Sequence, residues 1–201
     1  MTFHFVLLAA GFGRRFGSNK LLADLNGRPL YRHGLETLLT LKAEERFPIT
    51  VTVVTQYPSI ARALENEEAE AVINEDPSRG QASSVAAGVE AVVRSGTAAD
   101  DDYIVFLAGD QPFIKKESLK RYLEQLARKK PLLASFSLDG ACRNPGAFRC
   151  DLWPDLMNLT GDSGGREILR AHKDDVMLFT GFEPGELRDI DYPEDLPLGD
   201  K

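Results

Sequence analysis

The stretch FHFVLLAAGFGRRFGSNK, residues 3–20, places a near-continuous apolar run directly before a glycine-rich loop. The apolar run covers residues 3–10 and stops at Gly11, a pattern typical of a strand buried on both faces of a parallel sheet. The glycines that follow would stop a helix at this point. We therefore expect the first strand to end in a loop at the carboxyl edge of the sheet, where such sheets bind ligands.

Apolar runs recur along the chain and alternate with segments of helical periodicity. Further strands are expected at 49–54, 69–73, 103–108 and 132–136, and helices at 30–41, 59–67, 82–93 and 117–129. Alternation of this kind predicts right-handed βαβ units. The fold class expected is therefore α/β: a Rossmann-like three-layer α/β/α sandwich around a mostly parallel, twisted sheet.

The last third of the chain changes in composition. Residues 140–151 and 161–166 are rich in Gly, Asn, Pro and Asp. We interpret residues 137–175 as an insertion packed over the ligand edge of the sheet. Short helices are expected at 152–159 and 166–172, and short strands near 176–179 and 187–190. The length of 201 residues favours one domain, residues 1–201.

The charge balance excludes some classes of partner. The chain has 24 Lys plus Arg and 31 Asp plus Glu, which gives a formal charge of −7. A nucleic-acid partner is not expected, because contacts with a phosphate backbone need a basic face. Any anionic ligand must therefore be met by a local group of cations.

The remaining composition favours a plain intracellular domain. Cys142 and Cys150 are expected to stay reduced and without function, and the three histidines form no recognised metal motif. The N-terminal apolar run is too short to span a bilayer, and its arginines follow the run instead of preceding it. We therefore expect a cytoplasmic protein with no signal peptide and no membrane partner.

The glycine loop has the composition of an anion site. Gly11, Gly13 and Gly17 allow backbone N–H groups to point at a ligand, and residues 11–23 hold three basic side chains and no acidic one. The loop is not a P-loop, because Leu21 follows Lys20 where Ser or Thr is needed. An ordinary strand-to-helix turn with solvated arginines is the alternative interpretation.

Two further segments carry polar groups at the expected sheet edge. Ser83 and Ser84 stand where a helix begins, so they can contact a ligand or simply cap the helix. Asp110 follows a buried strand, where its carboxylate can hold Mg²⁺ together with substrate phosphates. A structural Asx-turn is the alternative for Asp110.

These motifs resemble those of the MobA-like nucleotidyltransferases. LAAGFGRRFGSNK, residues 8–20, is similar to the family signature LAAGxxxRxGxxK, and most of all to the molybdenum cofactor cytidylyltransferase (MocA-type) branch. GQASS, residues 80–84, resembles the family's base and ribose motif, and GDQP, residues 109–112, resembles its metal motif. Arg14 falls in a variable position of the signature. The resemblance implies a nucleotide-diphospho-sugar transferase-like fold.

The resemblance also implies roles for individual residues. Lys20, Arg15 and Asp110 would be catalytic, the two cations neutralising the triphosphate and the leaving pyrophosphate. The implied nucleotide-binding residues are Leu8, Ala9, Ala10, Gly11, Gly13, Arg15, Lys20, Gly80, Ser83, Ser84 and Asp110.

Three later stretches are similar to patterns of the MocA-type branch: RNPGAF (143–148), TGDSGGR (160–166) and DIDYPEDL (189–196). By this match Asp191 joins Asp110 as a ligand of Mg²⁺, with Asp189 as the alternative. The implied acceptor-binding residues are Asn144, Pro145, Asp162, Gly164 and Arg166. Tyr192 stands where the branch usually has Thr.

The reaction expected is attack of an acceptor phosphate on the α-phosphorus of a nucleoside triphosphate, with release of pyrophosphate. A phosphate monoester is largely dianionic at pH 7, so no general base is needed. LAAG, in place of LAGG, resembles the cytidylyl-transferring branch more than the guanylyl-transferring one, and this resemblance implies CTP as the first choice of nucleotide and molybdopterin (molybdenum cofactor) as the acceptor. A sugar phosphate or another small phosphorylated acceptor is an alternative, as is a non-catalytic chaperone for molybdoenzyme maturation. A molybdoenzyme or its maturation chaperone is the expected protein partner.

Overall fold

The protein, seen in a computed structural model, is described over residues 1–13 and 15–196. Arg14 and the tail at 197–201 lie outside the described residues. The main sheet has seven strands. They are β1 (Phe3–Ala9), β4 (Ile49–Thr55), β5 (Glu70–Ile73), β6 (Tyr103–Ala108), β7 (Leu133–Leu138), β8 (Ala141–Arg149) and β9 (Val176–Phe179). A separate hairpin is formed by β2 (Asp24–Leu25) and β3 (Arg28–Pro29).

The helices lie between the strands, as the periodicity predicts. They are α1 (Leu30–Ala43), α2 (Pro58–Ala63), α3 (Gln81–Arg94), α4 (Lys116–Lys129), α5 (Trp153–Met157) and α6 (Gly165–Ala171). The five strands and the four helices expected in residues 1–136 are confirmed, with small shifts at their ends. The largest shift is in α2, which ends at Ala63, four residues before the predicted boundary.

The strand order is β5-β4-β1-β6-β8-β7-β9. Pairings are parallel from β5 to β6 and between β7 and β9, whereas β8 is antiparallel to both of its neighbours. All the described strands of this sheet except β8 therefore run in one direction. This confirms the α/β class with a mostly parallel sheet.

Two expectations for the last third are wrong. Residues 141–149 do not lie over the sheet edge as part of an insertion, because they form β8 inside the sheet between β6 and β7. Their loop-like composition reflects a β-bulge: Ser135 pairs with Gly146, but the next residue, Phe136, pairs with Arg143. Proline and glycine are tolerated in a sheet at such a position. The division into one domain over residues 1–201 stays a prediction.

The strand expected at 187–190 is also absent. A 3₁₀ turn occupies Pro184–Leu187, and residues 188–191 are irregular. The backbone N–H of Ile190 donates to the carbonyl of Asp110 over 3.0 Å, outside any strand ladder. The short apolar pattern therefore marks a segment that docks on the sheet edge and not a strand.

Successive apolar residues of β1 point to opposite faces of the sheet and pack against different helices. Phe5 and Leu7 belong to one buried cluster with Leu35 of α1, and Val6 belongs to a second with Val89 of α3. A Cβ at Gly88 would lie only 2.5 Å from Cγ1 of Val6, so α3 approaches the sheet very closely. This contact fixes where the N-terminus of α3 meets the carboxyl edge. Within the described residues, no helix combines the length and apolarity needed to cross a membrane.

Candidate active site

The site lies where β1 and β6 end side by side. The N–H of Gly109 donates to the carbonyl of Leu8 over 2.9 Å, which joins the end of β1 to the loop that follows β6. The loop after β1 ends in a 3₁₀ turn at Lys20–Leu22, whose first residue is fixed because Asn19 Oδ1 accepts from the N–H of Leu21 over 3.1 Å. The turn holds the Lys20 side chain under the loop, facing Asp110.

Lys20 joins two carboxylates that are far apart in sequence. Its Nζ donates to Oδ2 of Asp110 over 2.6 Å and to Oδ1 of Asp191 over 2.9 Å. Burial lowers the pKa of Lys20, but the two carboxylates outweigh burial and the pKa is raised from its ordinary value. The ammonium group therefore stays charged and offsets one of the two negative charges.

The segment that carries Asp191 is held by backbone contacts. Besides the bond from Ile190 to Asp110, the N–H groups of Asp191 and Tyr192 donate to Oδ2 of Asp195 over 2.9 and 2.8 Å. These bonds explain why the DIDYPEDL stretch reaches the site without being part of the sheet. Arg15 adds a looser ion pair, with one guanidinium nitrogen 3.4 Å from Oδ2 of Asp191.

Asp189, the alternative to Asp191, is engaged elsewhere. Its Oδ1 accepts from Nε2 of Gln111 over 2.7 Å. Burial raises the pKa of Asp189, the charges of Asp110 and Asp191 raise it further, and the bond from Gln111 lowers it. Since Lys20 bridges Asp110 and Asp191, the geometry favours Asp191 as the partner of Asp110.

A cavity of about 350 Å³, here the loop cavity, lies between the glycine loop and the start of α3. The predicted nucleotide-binding residues that line it are Leu8, Ala10, Gly11, Lys20, Gly80, Ser84 and Asp110. Ala9 is buried within β1 and does not line the loop cavity. The structure thus brings most of the predicted nucleotide-binding residues to one opening.

A second opening of about 310 Å³, here the carboxylate cavity, adjoins the first. It contains the other two predicted loop residues, Gly13 and Arg15, together with Asp191. Both cavities share Lys20 and Asp110. A ligand that extends from one to the other would pass directly over the ion-paired group.

Ser83 and Ser84 are not equivalent. Asn74 donates through Nδ2 to both hydroxyl oxygens over 2.9 Å, and Ser83 in turn donates to the carbonyl of Gly80 over 2.8 Å. Ser83 lines a different groove, on the outer side of α3, whereas Ser84 lines the loop cavity. Ser83 does not act as a helix cap, because its hydroxyl donates to a carbonyl and α3 begins after Gly80 with no side-chain cap. Ser84 is the hydroxyl that lines the loop cavity.

The predicted acceptor residues fall into two groups. Asp162 lines the loop cavity, and the loop at 161–164 docks on the start of α3, where the N–H of Ala82 donates to the carbonyl of Gly161 over 3.1 Å. At Gly80, with φ +85°, an added Cβ would lie 2.4 Å from that same carbonyl oxygen.

The second group lies farther from the two openings. Asn144 and Pro145 sit in the β8 bulge, and Arg166 lies in the first turn of α6. None of these three residues is among the described residues that line the loop cavity or the carboxylate cavity.

Sequence reasoning missed three polar residues that support the site. Gln111 fixes Asp189, as described above, while Gln56 and Tyr57 donate to the carbonyls of Ala10 and Gly11 over 2.6 and 2.8 Å. Gln56 and Tyr57 directly follow β4, the parallel neighbour of β1. Their place after a buried strand was the available signal, because parallel strands end at one edge.

A glycine loop, a buried lysine and paired carboxylates at the carboxyl edge of a parallel sheet define a nucleotide-binding α/β domain. Residues 5–176 match the family described as the MobA-like NTP transferase domain. The chain belongs to this family, and its activity is that of a nucleotidyltransferase.

The chain is also similar in sequence to curated proteins and in fold to solved structures. The chain is 30% identical to the purine catabolism protein PucB of Bacillus subtilis, over 96% of this chain and 93% of that protein. It is 30% identical to 3-deoxy-manno-octulosonate cytidylyltransferase of Pectobacterium carotovorum, over 62% of this chain and 48% of that one.

The fold is similar to that of Rv0371c from Mycobacterium tuberculosis, with a TM-score of 0.74 and 23% identity over 96% of this chain and 94% of that one. A manganese complex of Rv0371c matches with a TM-score of 0.65 and 19% identity, over 90% of this chain and 88% of that one.

Proposed function

We propose that this protein transfers CMP from CTP to the terminal phosphate of molybdopterin or the molybdenum cofactor, releasing pyrophosphate. The observation that carries the proposal is the placement of Lys20 between Asp110 and Asp191, at the junction of the two cavities. In this proposal the cytidine lies in the loop cavity against Gly80 and Ser84. The phosphates then extend over Lys20 toward Arg15.

The carboxylate pair fits a divalent cation. Asp110 and Asp191 already hold one cation, the Lys20 ammonium, within 2.9 Å of an oxygen of each. Hard carboxylate oxygens suit Mg²⁺, which is commonly bound by one or two carboxylates together with substrate phosphates. Within residues 1–13 and 15–196, no three His, Cys, Asp or Glu side chains are grouped as metal ligands. The proposed Mg²⁺ site is therefore completed by the nucleotide, and the ion would withdraw charge from its phosphates.

The reaction forms one bond and breaks one. An oxygen of the acceptor phosphate bonds to the α-phosphorus of CTP, and the bond from that phosphorus to the oxygen bridging to the β-phosphorus breaks. The electron pair leaves with pyrophosphate. Lys20 and Arg15 hold the developing negative charge, so the catalysis proposed for these residues is positioning and charge neutralisation.

Cytidine specificity is proposed from the chemistry of the loop cavity. The hydroxyl of Ser84, which lines the loop cavity, can bond the edge of a pyrimidine, and a base that leaves this hydroxyl unpaired would be disfavoured. The cytidylyltransferase name of the Pectobacterium relative supports the same nucleotide.

That relative also supports a second candidate acceptor. Its name states a sugar acid, 3-deoxy-manno-octulosonate, as the group that receives the nucleotide. A small phosphorylated or sugar-acid acceptor is therefore the alternative to molybdopterin. A non-catalytic maturation role is disfavoured because Lys20, Arg15, Asp110 and Asp191 are all present and are linked by ion pairs.

The test is pyrophosphate release from each of CTP, GTP, ATP and UTP with Mg²⁺, first with molybdenum cofactor and then with sugar phosphates. We expect CTP with molybdenum cofactor to give the highest kcat/KM. Transfer only to a sugar phosphate would make the sugar phosphate the acceptor in place of molybdenum cofactor. A preference for GTP would make GTP the nucleotide substrate in place of CTP. No transfer from any nucleotide would overturn the catalytic role.

A further inference from the structure

Two side chains after β4 hold the glycine loop from outside the site. Gln56 donates through Nε2 to the carbonyl of Ala10 over 2.6 Å, and the Tyr57 hydroxyl donates to the carbonyl of Gly11 over 2.8 Å. Neither residue lines the loop cavity or the carboxylate cavity. Two consecutive peptide groups of the loop are thus held from the side of β4.

The two carbonyl contacts also determine the direction of the neighbouring N–H groups of the loop. In a trans peptide the C=O of one residue and the N–H of the next point in opposite directions. With the carbonyls of Ala10 and Gly11 directed at Gln56 and Tyr57, the N–H groups of Gly11 and Phe12 are directed away from them. Ala10, Gly11 and Phe12 also line the loop cavity.

Tyr57 is itself well anchored. Its N–H donates to Oγ1 of Thr55 over 3.1 Å, and its carbonyl accepts the first N–H groups of α2, from Ile60 and Ala61, over 3.0 and 3.2 Å. The contact to Gly11 therefore starts from the junction of a buried strand and a helix. Burial also raises the pKa of the Tyr57 hydroxyl, so the group remains a donor at neutral pH.

We propose that Gln56 and Tyr57 are positioning residues that preset the Gly11 and Phe12 amides to receive the phosphates of the nucleotide. This inference rests on the proposed function, since it needs a nucleoside triphosphate in the loop cavity. Consecutive inward N–H groups make an anion-binding concavity. A glycine-rich loop would otherwise lose conformational entropy on binding, and a loop held in advance binds more tightly.

The experiment compares two phenylalanine substitutions that each remove one tyrosine-to-carbonyl hydrogen bond. Tyr57→Phe removes the bond to Gly11, and Tyr103→Phe, the control, removes the bond from Tyr103 to the carbonyl of Pro131, on a different part of the sheet. Calorimetry with CTP and Mg²⁺, steady-state kinetics and thermal unfolding are measured on both variants and on the unsubstituted protein.

We expect Tyr57→Phe to raise the Kd and KM for CTP by roughly 3- to 10-fold, the range of a single neutral hydrogen bond, with no change in the KM of the acceptor. Tyr103→Phe should leave the affinity for CTP unchanged. Gln56→Met, which keeps side-chain length but has no donor, should act in the same direction as Tyr57→Phe.

The measurements separate a failure of the positioning role from a failure of the proposed function. Unchanged CTP affinity in Tyr57→Phe, with normal binding by the unsubstituted protein, would overturn the positioning role and leave the proposed function standing. Equal losses of affinity in both tyrosine variants would also overturn it, because the effect would then be one of general stability. Absence of nucleotide binding by the unsubstituted protein would overturn both proposals.

Discussion

Replacing Lys20 with methionine should change the binding of a metal and of the nucleotide in opposite directions. The substitution keeps an unbranched side chain of similar length and removes the charge between Asp110 and Asp191. Without nucleotide, a divalent cation must compete with the ammonium group for these two carboxylates. We therefore expect Lys20→Met to bind Mn²⁺ more tightly than the unsubstituted protein does, and CTP more weakly.

The expected size follows from the contacts. Lys20 Nζ lies 2.6 Å from Asp110 and 2.9 Å from Asp191, and 11% of the Lys20 side chain is exposed. The Asp191 side chain is 41% exposed, so solvent screens that contact and only the one with Asp110 is counted. A charge-assisted hydrogen bond contributes about 1.5–3 kcal/mol. At 1.4 kcal/mol per factor of ten, the Kd of Mn²⁺ should fall about 10- to 150-fold.

The assay is titration of Mn²⁺ into nucleotide-free protein, with the free ion followed by its electron paramagnetic resonance signal. Lys42→Met is the matched control, since it removes a lysine from an exposed ion pair with Glu68. It should bind Mn²⁺ as the unsubstituted protein does. Equal Mn²⁺ affinity in Lys20→Met and the control would refute the competition, and tighter CTP binding in Lys20→Met would refute its contact with the phosphates.

Three other predictions concern the same openings. Asp110→Ala should fold normally, because the carboxylate lies in a loop. It should retain less than about a tenth of the transfer rate, which means that the barrier rises by at least about 1.4 kcal/mol, and higher activity would contradict the metal role. Gly80→Ala should lose about 1–3 kcal/mol of unfolding free energy and weaken CTP binding, since its Cβ would meet the Gly161 carbonyl. Gly96→Ala, which has positive φ but open space, controls for backbone strain, and equal losses would contradict the contact. Competition between CTP and GTP should favour CTP in kcat/KM, and equal values would remove the cytidylyl assignment.

The parts of the site that were predictable are those with a local signal. Lys20 and Asp110 each follow an apolar run that ends in glycine. The neighbouring residues alone therefore predict a buried strand, its end at the edge of the sheet, and a polar side chain at that edge. The fold class followed from the same alternation of strands and helices. The similarity of residues 189–196 to a family motif predicted that Asp191 would lie beside Asp110, although the preceding residues, 187–190, were wrongly expected to form a strand.

What could not be predicted depends on contacts distant in sequence. β8 has the composition of a turn, and it becomes a strand because β6 and β7 pair with it on both sides. Gln56 and Tyr57 look like ordinary residues at the end of a strand until β4 is placed beside β1. Ser83 and Ser84 are neighbours of the same residue type, and only the direction of α3 places Ser84 at the loop cavity and Ser83 at a different groove.

The charge balance of the site explains how an acidic protein can bind a polyphosphate there. Asp110 and Asp191 are neutralised in the absence of ligand by Lys20 and Arg15, so the pair does not repel an approaching anion as two bare carboxylates would. In the proposed function, a triphosphate would compete for both cations, and drawing Lys20 away would leave the carboxylates open to a divalent ion. Nucleotide and metal should then each increase the affinity for the other, since binding free energies are coupled reciprocally. Loss of Lys20 would remove the part of that coupling that comes from the competition, and would leave the part that comes from phosphate oxygens bound to the ion.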